Sequence, residues 1–239
     1  MIKEQMNIAD FPALLAQNPM LPCSTVKFKV LNLYACLGGN RYLWTDCDVT
    51  AIELDPELAR MYQERFPNDT VIVADAHQYL LDHYKEFDFI WSSPPCPTHS
   101  RSRFWAYGKT KSVFPDLKLY EEIIFLQHHA SDNQKWVVEN VNPYYDLLIN
   151  GEKRGRHIFW ANFNIPKIEK EDVTGKLNFI SQVQPLLDFH KIEKFDYKGE
   201  QKRLKVLRNL VDYEVGLLIF NTARGILNNS KQKQVSLFD

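Results

Sequence analysis

The chain has 239 residues, 45% of them hydrophobic and 25% charged, and a formal net charge of −1. These values exclude collagenous, disordered and disulfide-framework proteins and fit one α/β domain with at most a small appendage. They provide no basic bulk for phosphate binding and no run near the roughly 18 apolar residues of a membrane helix.

The first twenty residues interrupt their apolar positions with Lys3, Glu4, Asp10 and Pro12, which argues against a secretory signal. Residues 1–27 are expected to be a helical segment packed on the core. Cys23, Cys36, Cys47 and Cys96 form no CxxC pair, so they read as reduced thiols of a cytoplasmic protein with no metal site.

Residues 28–34 (FKVLNLY) predict a buried strand ending in a Gly38-Gly39 turn, and residues 49–53 a second strand. A helix follows over 56–66, with Pro56 suited to its first turn. Short strands are predicted at 71–73 and 87–91, a helix over 117–130 and a fifth strand at 136–139. Strands alternating with helices imply a mostly parallel, doubly wound α/β sheet covered on both faces. Ligands then bind at the carboxyl ends of the strands. Residues 163–208 show no clear period, and residues 212–227 predict a helix with Val215, Leu218, Ile219 and Thr222 on one side.

Three segments at strand ends carry unusual chemistry. In Ser92-Ser93-Pro94-Pro95-Cys96-Pro97, prolines stiffen the backbone around a thiol, a suitable mount for a nucleophile or a plain turn cysteine. Glu139-Asn140-Val141 ends the next strand, so Glu139 can face the pocket of Cys96; a carboxyl behind an apolar run has a raised pKa and donates protons, unless it is an edge glutamate in a salt bridge. Arg154 and Arg156 enter a further strand one residue apart, where both side chains can project from one face. Between residues 97 and 113, Arg101, Arg103, Lys109 and Lys111 interleave with Phe104, Trp105 and Tyr107 without an acidic residue.

These segments, in this order, resemble the DNA cytosine-5 methyltransferase family over most of the chain. Residues 32–39 (NLYACLGG) are similar to its cofactor turn, DLFAGxGG; Glu53-Leu54 to the element holding the cofactor ribose; Asp75 to the adenine-binding aspartate. Pro94-Pro95-Cys96 resembles the catalytic loop, Glu139-Asn140-Val141 the catalytic glutamate motif, Arg154 and Arg156 the paired-arginine motif, and residues 207–211 the late GNxV element. The resemblance implies the class I fold of S-adenosylmethionine-dependent methyltransferases and S-adenosyl-L-methionine as cofactor. Tyr34, Cys36, Gly38, Gly39, Glu53, Leu54, Asp75, Pro94 and Asn209 would hold it. Cys96, Glu139, Asn140, Arg154 and Arg156 would be catalytic, with Arg156 and the basic loop helping Cys96 to ionise. Ser100, Arg101, Arg103, Lys109 and Lys111 would contact double-stranded DNA. It further implies a core over 28–162, a reduced target-recognition region over 163–208, a returning helix over 209–228 and a flexible tail over 229–239.

Asn32 replaces the family's Asp and Cys36 a Gly, which predicts a looser turn, and the recognition region is only 46 residues long, which predicts a short or degenerate target. The final residues resemble the peptide by which bacterial proteins dock on the replication sliding clamp, with Gln234, Leu237 and Phe238 as anchors; the plain alternative is a frayed tail. Rival readings are a tRNA cytosine-5 methyltransferase, a folate-dependent pyrimidine-nucleotide methylating enzyme and a non-catalytic DNA-binding module. The Gly38-Gly39 turn with Glu53 favours a nucleoside-type cofactor over folate.

Overall fold

The computed structural model describes residues 27–106, 108–109, 111–167 and 182–226. Seven strands, β1 (Phe28–Leu33), β2 (Cys47–Glu53), β3 (Thr70–Val73), β4 (Phe89–Ser92), β5 (Lys135–Val141), β6 (Glu152–Arg154) and β7 (His157–Ala161), form one sheet in the order β3-β2-β1-β4-β5-β7-β6. Strands β1 to β5 are parallel, β7 runs antiparallel beside β5, and β6 closes the edge as a hairpin partner of β7. This is a mostly parallel α/β sheet with an antiparallel edge, covered by helices.

The helices are α1 (Pro56–Arg65), α2 (Ala76–His83), α3 (Ser102–Ala106), α4 (Lys118–His129), α5 (Val183–His190), α6 (Arg203–Arg208) and α7 (Tyr213–Ala223). The central strands are apolar without alternation because both faces are covered. Val30, Phe89, Trp91, Val137 and Phe159 pack with Ile219 and Phe220 of α7. Their neighbours Leu31, Ile90, Val138 and Ile158 pack on the opposite face with Ile123 and Leu126 of α4. Local signals fix the helix starts: the Asp55 side chain caps α1 by accepting from Glu57 N at 2.9 Å, with Pro56 at the first helical position.

Two expectations change. The period-free stretch contains α5 and α6, helices of eight and six residues that are too short to print a clear repeat. Their Leu186, Leu187, Val206 and Leu207 share a core with Leu37, Leu58 and Met61, so this part of the expected recognition region is welded to the turn after β1 and to α1. The buried stripe of α7 is Gly216, Ile219, Phe220 and Ala223, one position on from the predicted face. Gly216 sets that rotation: a Cβ there would lie 2.2 Å from the Asn40 carbonyl oxygen. Among the described residues no helix is long and apolar enough to cross a membrane.

Candidate active site

At the carboxyl end of β1 the chain winds through three left-handed residues, Tyr34 (φ 57°), Cys36 (φ 48°) and Gly38 (φ 64°). A Cβ on Gly38 would come within 2.4 Å of the Phe66 ring, and one on Gly39 within 2.5 Å of the Val211 carbonyl oxygen. The turn is therefore closely packed despite Cys36, correcting the looser turn predicted; the buried Asn32 contributes by accepting from Asn40 Nδ2 at 2.8 Å. Glu53, buried at the end of β2, clasps it: Oε2 accepts from Cys36 N at 2.8 Å and Oε1 from Asp55 N at 2.9 Å. Each carboxyl oxygen keeps further accepting capacity for ribose hydroxyls. Leu54 is 68% exposed beside it, an apolar flank for a flat ring, and Asp75 caps α2 with its side chain half in solvent. A tight turn closing on Gly38-Gly39, a buried acid and an adjacent exposed leucine fit a nucleoside-type cofactor.

Strands β4 and β5 pair in parallel with Ser92 beside Val138, so the loop after Ser92 and the side chain of Glu139 emerge side by side. Asn140 fixes the loop: its Nδ2 donates to Pro94 O at 2.9 Å. The Cys96 carbonyl accepts from His99 N at 3.0 Å and Ser100 N at 3.1 Å, which turns the chain directly behind the thiol. Glu139 is 6% exposed, and burial raises its carboxyl to about 7, against the opposing pull of the Ser93 hydroxyl and Arg156. Burial, then the Glu139 charge, push the Cys96 thiol upward, while Arg156 and Lys205 pull it down. The expected activation of Cys96 is thus outweighed: its cationic neighbours are Arg156 and Lys205 of α6 rather than the basic loop. Cys96, Glu139 and Arg156 act on one another's charge, so sulfur, carboxyl and guanidinium share one locality.

Residues 28–113, which carry the cofactor turn, Glu53, Asp75 and Cys96, match the model of the C-5 cytosine-specific DNA methylases. Over these residues the chain is similar to that family. S-adenosylmethionine is the family's cofactor, and the turn with Glu53, Leu54 and Asp75 is where this chain would hold it. Glu139 and Arg156 lie beyond the matched segment. The solved structures it resembles include DNMT2 of Spodoptera frugiperda, a mutant form (24% identity, 48% of this chain and 35% of that one, TM-score 0.34), and Dnmt2 of S. pombe (19%, 48% and 34%, 0.36). A SAM-dependent methyltransferase of Agrobacterium tumefaciens is similar over 57% of this chain and 44% of its own, at 16% identity and TM-score 0.36. The aligned part spans about a third of either Dnmt2 chain. No curated protein sequence matches.

Set against the methylase motifs, the paired arginines are corrected. Gly155, at φ 58°, makes the turn between β6 and β7 together with Arg156, so Arg154 ends β6 and Arg156 sits in the turn instead of both lying on one strand face. Arg154 turns away, donating to Ile165 O at 2.7 Å and Pro166 O at 3.2 Å and pairing with Glu152. Arg156 stays at the site, its Nη2 donating to the carbonyls of Arg208 (2.8 Å) and Leu210 (3.2 Å). Asn209 is exposed at the end of α6, and the next two residues, not Asn209 itself, meet Gly39. Arg101, Lys109 and Lys111 are exposed, Ser100 shapes the turn behind Cys96, and Arg103 is tied to Pro97 O at 3.1 Å. Gln234, Leu237 and Phe238 lie outside the described residues, as do residues 1–26.

Three polar residues escaped the sequence reading. Glu122 is fully buried beneath the cofactor turn, accepting from Tyr34 Oη at 2.6 Å and Ser92 Oγ at 2.5 Å, with His77 Nδ1 at 3.1 Å. Its signal was a carboxyl inside the apolar stripe of Leu119, Ile123 and Leu126. Ser93 Oγ accepts from the Trp91 indole at 2.9 Å, which leaves its own proton to donate to Glu139. His157 Nε2 lies 3.3 Å from Glu139 Oε1, with both side chains buried; no local sequence signal marks it.

Proposed function

We propose that the chain methylates carbon 5 of cytosine in DNA, with Cys96 as a covalent nucleophile on a flipped-out base. The observation that carries this reading is the joint placement of the Cys96 thiol and the Glu139 carboxyl, poised near 7, at adjacent strand ends beside the cofactor turn. Carbon 5 of cytosine is too weakly nucleophilic to be alkylated unaided, and covalent addition divides that step. The thiolate of Cys96 adds to carbon 6 while neutral Glu139 passes its proton to the ring nitrogen at position 3, and the electron pair of the 5,6 double bond collects at carbon 5. S-adenosylmethionine, when bound, supplies the electrophilic methyl group. A base then takes the proton from carbon 5, the double bond re-forms, Cys96 leaves as thiolate, and Glu139 recovers its proton.

A neutral Glu139 serves twice, since it also removes the charge that raises the Cys96 thiol. Arg156 stays beside both groups to offset the thiolate. Extruding the base costs a few kcal/mol. The exposed loop with Phe104, Trp105, Arg101, Lys109 and Lys111 is the candidate surface for closing over the extruded base and its phosphates. The family description favours DNA over tRNA.

Methyl transfer to duplex DNA and to tRNA from a labelled donor tests the acceptor. Cys96→Ala should abolish transfer while donor binding persists, and a 5-fluorocytosine duplex should trap a denaturation-stable adduct. Full activity of Cys96→Ala overturns the assignment. Cytoplasmic sliding-clamp docking through Gln234, Leu237 and Phe238 is a separate proposal, read out as loss of clamp affinity when residues 234–239 are deleted.

A further inference from the structure

Beyond the proton donor that this reading uses, a second titratable group is built into the same place. Strand β7 runs antiparallel to β5 with Glu139 paired to Phe159 and Val141 to His157. Glu139 and His157 are therefore two positions apart along the ladder, on one face of the sheet, and their side chains meet at 3.3 Å between Oε1 and Nε2. Both are buried, His157 at 5% exposure and Glu139 at 6%.

We propose, resting on the assignment of Glu139 as the proton donor, that His157 is its positioning residue. A neutral imidazole carrying its proton on Nε2 holds Oε1, presents the other carboxyl oxygen to the target ring, and steadies the carboxylate left once the proton has gone.

The surroundings select that state. Burial, reinforced by the Arg156 charge, keeps His157 well below the ordinary histidine range, so it is neutral and donates through only one nitrogen. The hydroxyl of Ser93 approaches Glu139 from the loop after β4, and it too can donate because the Trp91 indole occupies its acceptor side. Two neutral groups able to donate thus flank one carboxyl, one from each neighbouring strand. The other groups that act here are Arg156 on the β6–β7 turn, Cys96 on the loop and, through Cys96, Lys205 of α6. Burial keeps the proton on this carboxyl until the substrate nitrogen takes it, and neutral donors pull that proton off less strongly than a histidinium would.

The test is nuclear magnetic resonance on the full chain. With 15N-histidine labelling, Nε2 of His157, assigned through His157→Gln, should carry the proton of a neutral ring throughout pH 6–8. An unprotonated Nε2 or an imidazolium there overturns the proposal. With 13C-glutamate labelling, the Glu139 titration, assigned through Glu139→Gln, should move up by about one pH unit in His157→Phe and stay near the native midpoint in His157→Gln, which retains a donor. A purely structural His157 would lower stability in both variants and leave the midpoint where it was; an unmoved or lowered midpoint in His157→Phe likewise sinks the idea. The nitrogen measurement uses the native protein, so it decides even where His157→Phe fails to fold. Full methyl transfer by Glu139→Gln, by contrast, would overturn the role of Glu139 itself, whatever these spectra show.

Discussion

The Tyr34 hydroxyl donates to Glu122 Oε1 at 2.6 Å, tying the first left-handed residue of the cofactor turn to a fully buried carboxyl on α4. Tyr34→Phe removes that donor and leaves Ser92 Oγ and His77 Nδ1 to hold Glu122. A buried hydrogen-bonding group that loses a partner costs about 1–3 kcal/mol. We expect urea denaturation to report a loss of about 2 kcal/mol. Because the lost bond anchors the turn itself, calorimetry should also show several-fold weaker binding of S-adenosylhomocysteine. Unchanged affinity would mean that Glu122 braces the core and not the cofactor.

Glu139 makes stability fall as pH rises. Its folded carboxyl sits near 7, above the ordinary value of 4.5, so the folded chain binds a proton that the unfolded chain has already released. Its contribution is fully present below about pH 4.5 and is lost as pH climbs through 7. The interval is worth roughly 3 kcal/mol. Glu139→Gln cannot titrate, so the stability of the native chain relative to this variant should drop by that order between pH 5 and pH 8 and flatten above. His190, which burial holds at about 3, acts with the opposite sign, losing stability as pH falls, but it is common to both chains and cancels in the comparison. A difference that does not vary with pH rules out the raised carboxyl.

Gly216 opposes two effects of comparable size. Alanine in the middle of α7 gains about 1 kcal/mol of helix propensity. Its Cβ, however, would lie 2.2 Å from the Asn40 carbonyl oxygen and 2.7 Å from the Asn40 Cα, both backbone atoms that cannot swing aside. Overpacking of this kind costs about 1–3 kcal/mol or more. The steric effect wins, and Gly216→Ala should unfold at lower urea than the native chain. Since Asn40 donates to Asn32 behind the Gly39 turn, cofactor affinity should fall with it.

The sheet was legible because its strands are short apolar runs punctuated by turn residues, and Cys96, Glu139 and Asn140 because they stand at the ends of those runs. What could not be read depends on how strands pair. His157 is unremarkable until β7 is known to run antiparallel beside β5, which carries it back to Glu139. The arginine pair misled because Gly155 was read as a spacer within a strand, although an isolated glycine between polar and apolar stretches also signals a turn. Glu122 lies 88 residues from Tyr34, and only the closed sheet brings α4 under the turn.

The basic loop separates two kinds of binding energy. Lys109 and Lys111 are exposed, and Trp105 is 77% exposed. Removing these side chains should leave stability within about 0.5 kcal/mol of native. If both lysines meet phosphates, Lys109→Ala/Lys111→Ala should lower the slope of log K against log salt by about 2 on duplex DNA, weakening all sequences alike. If Trp105 stacks on an unpaired base, Trp105→Ala should cost about 1–3 kcal/mol of affinity without changing that slope. The two signatures are independent because one is a counterion effect and the other is not. Fluorescence anisotropy across a salt series reads both. A duplex affinity untouched by either change would place the nucleic acid elsewhere on the molecule, leaving Cys96 without the loop proposed to close over its base.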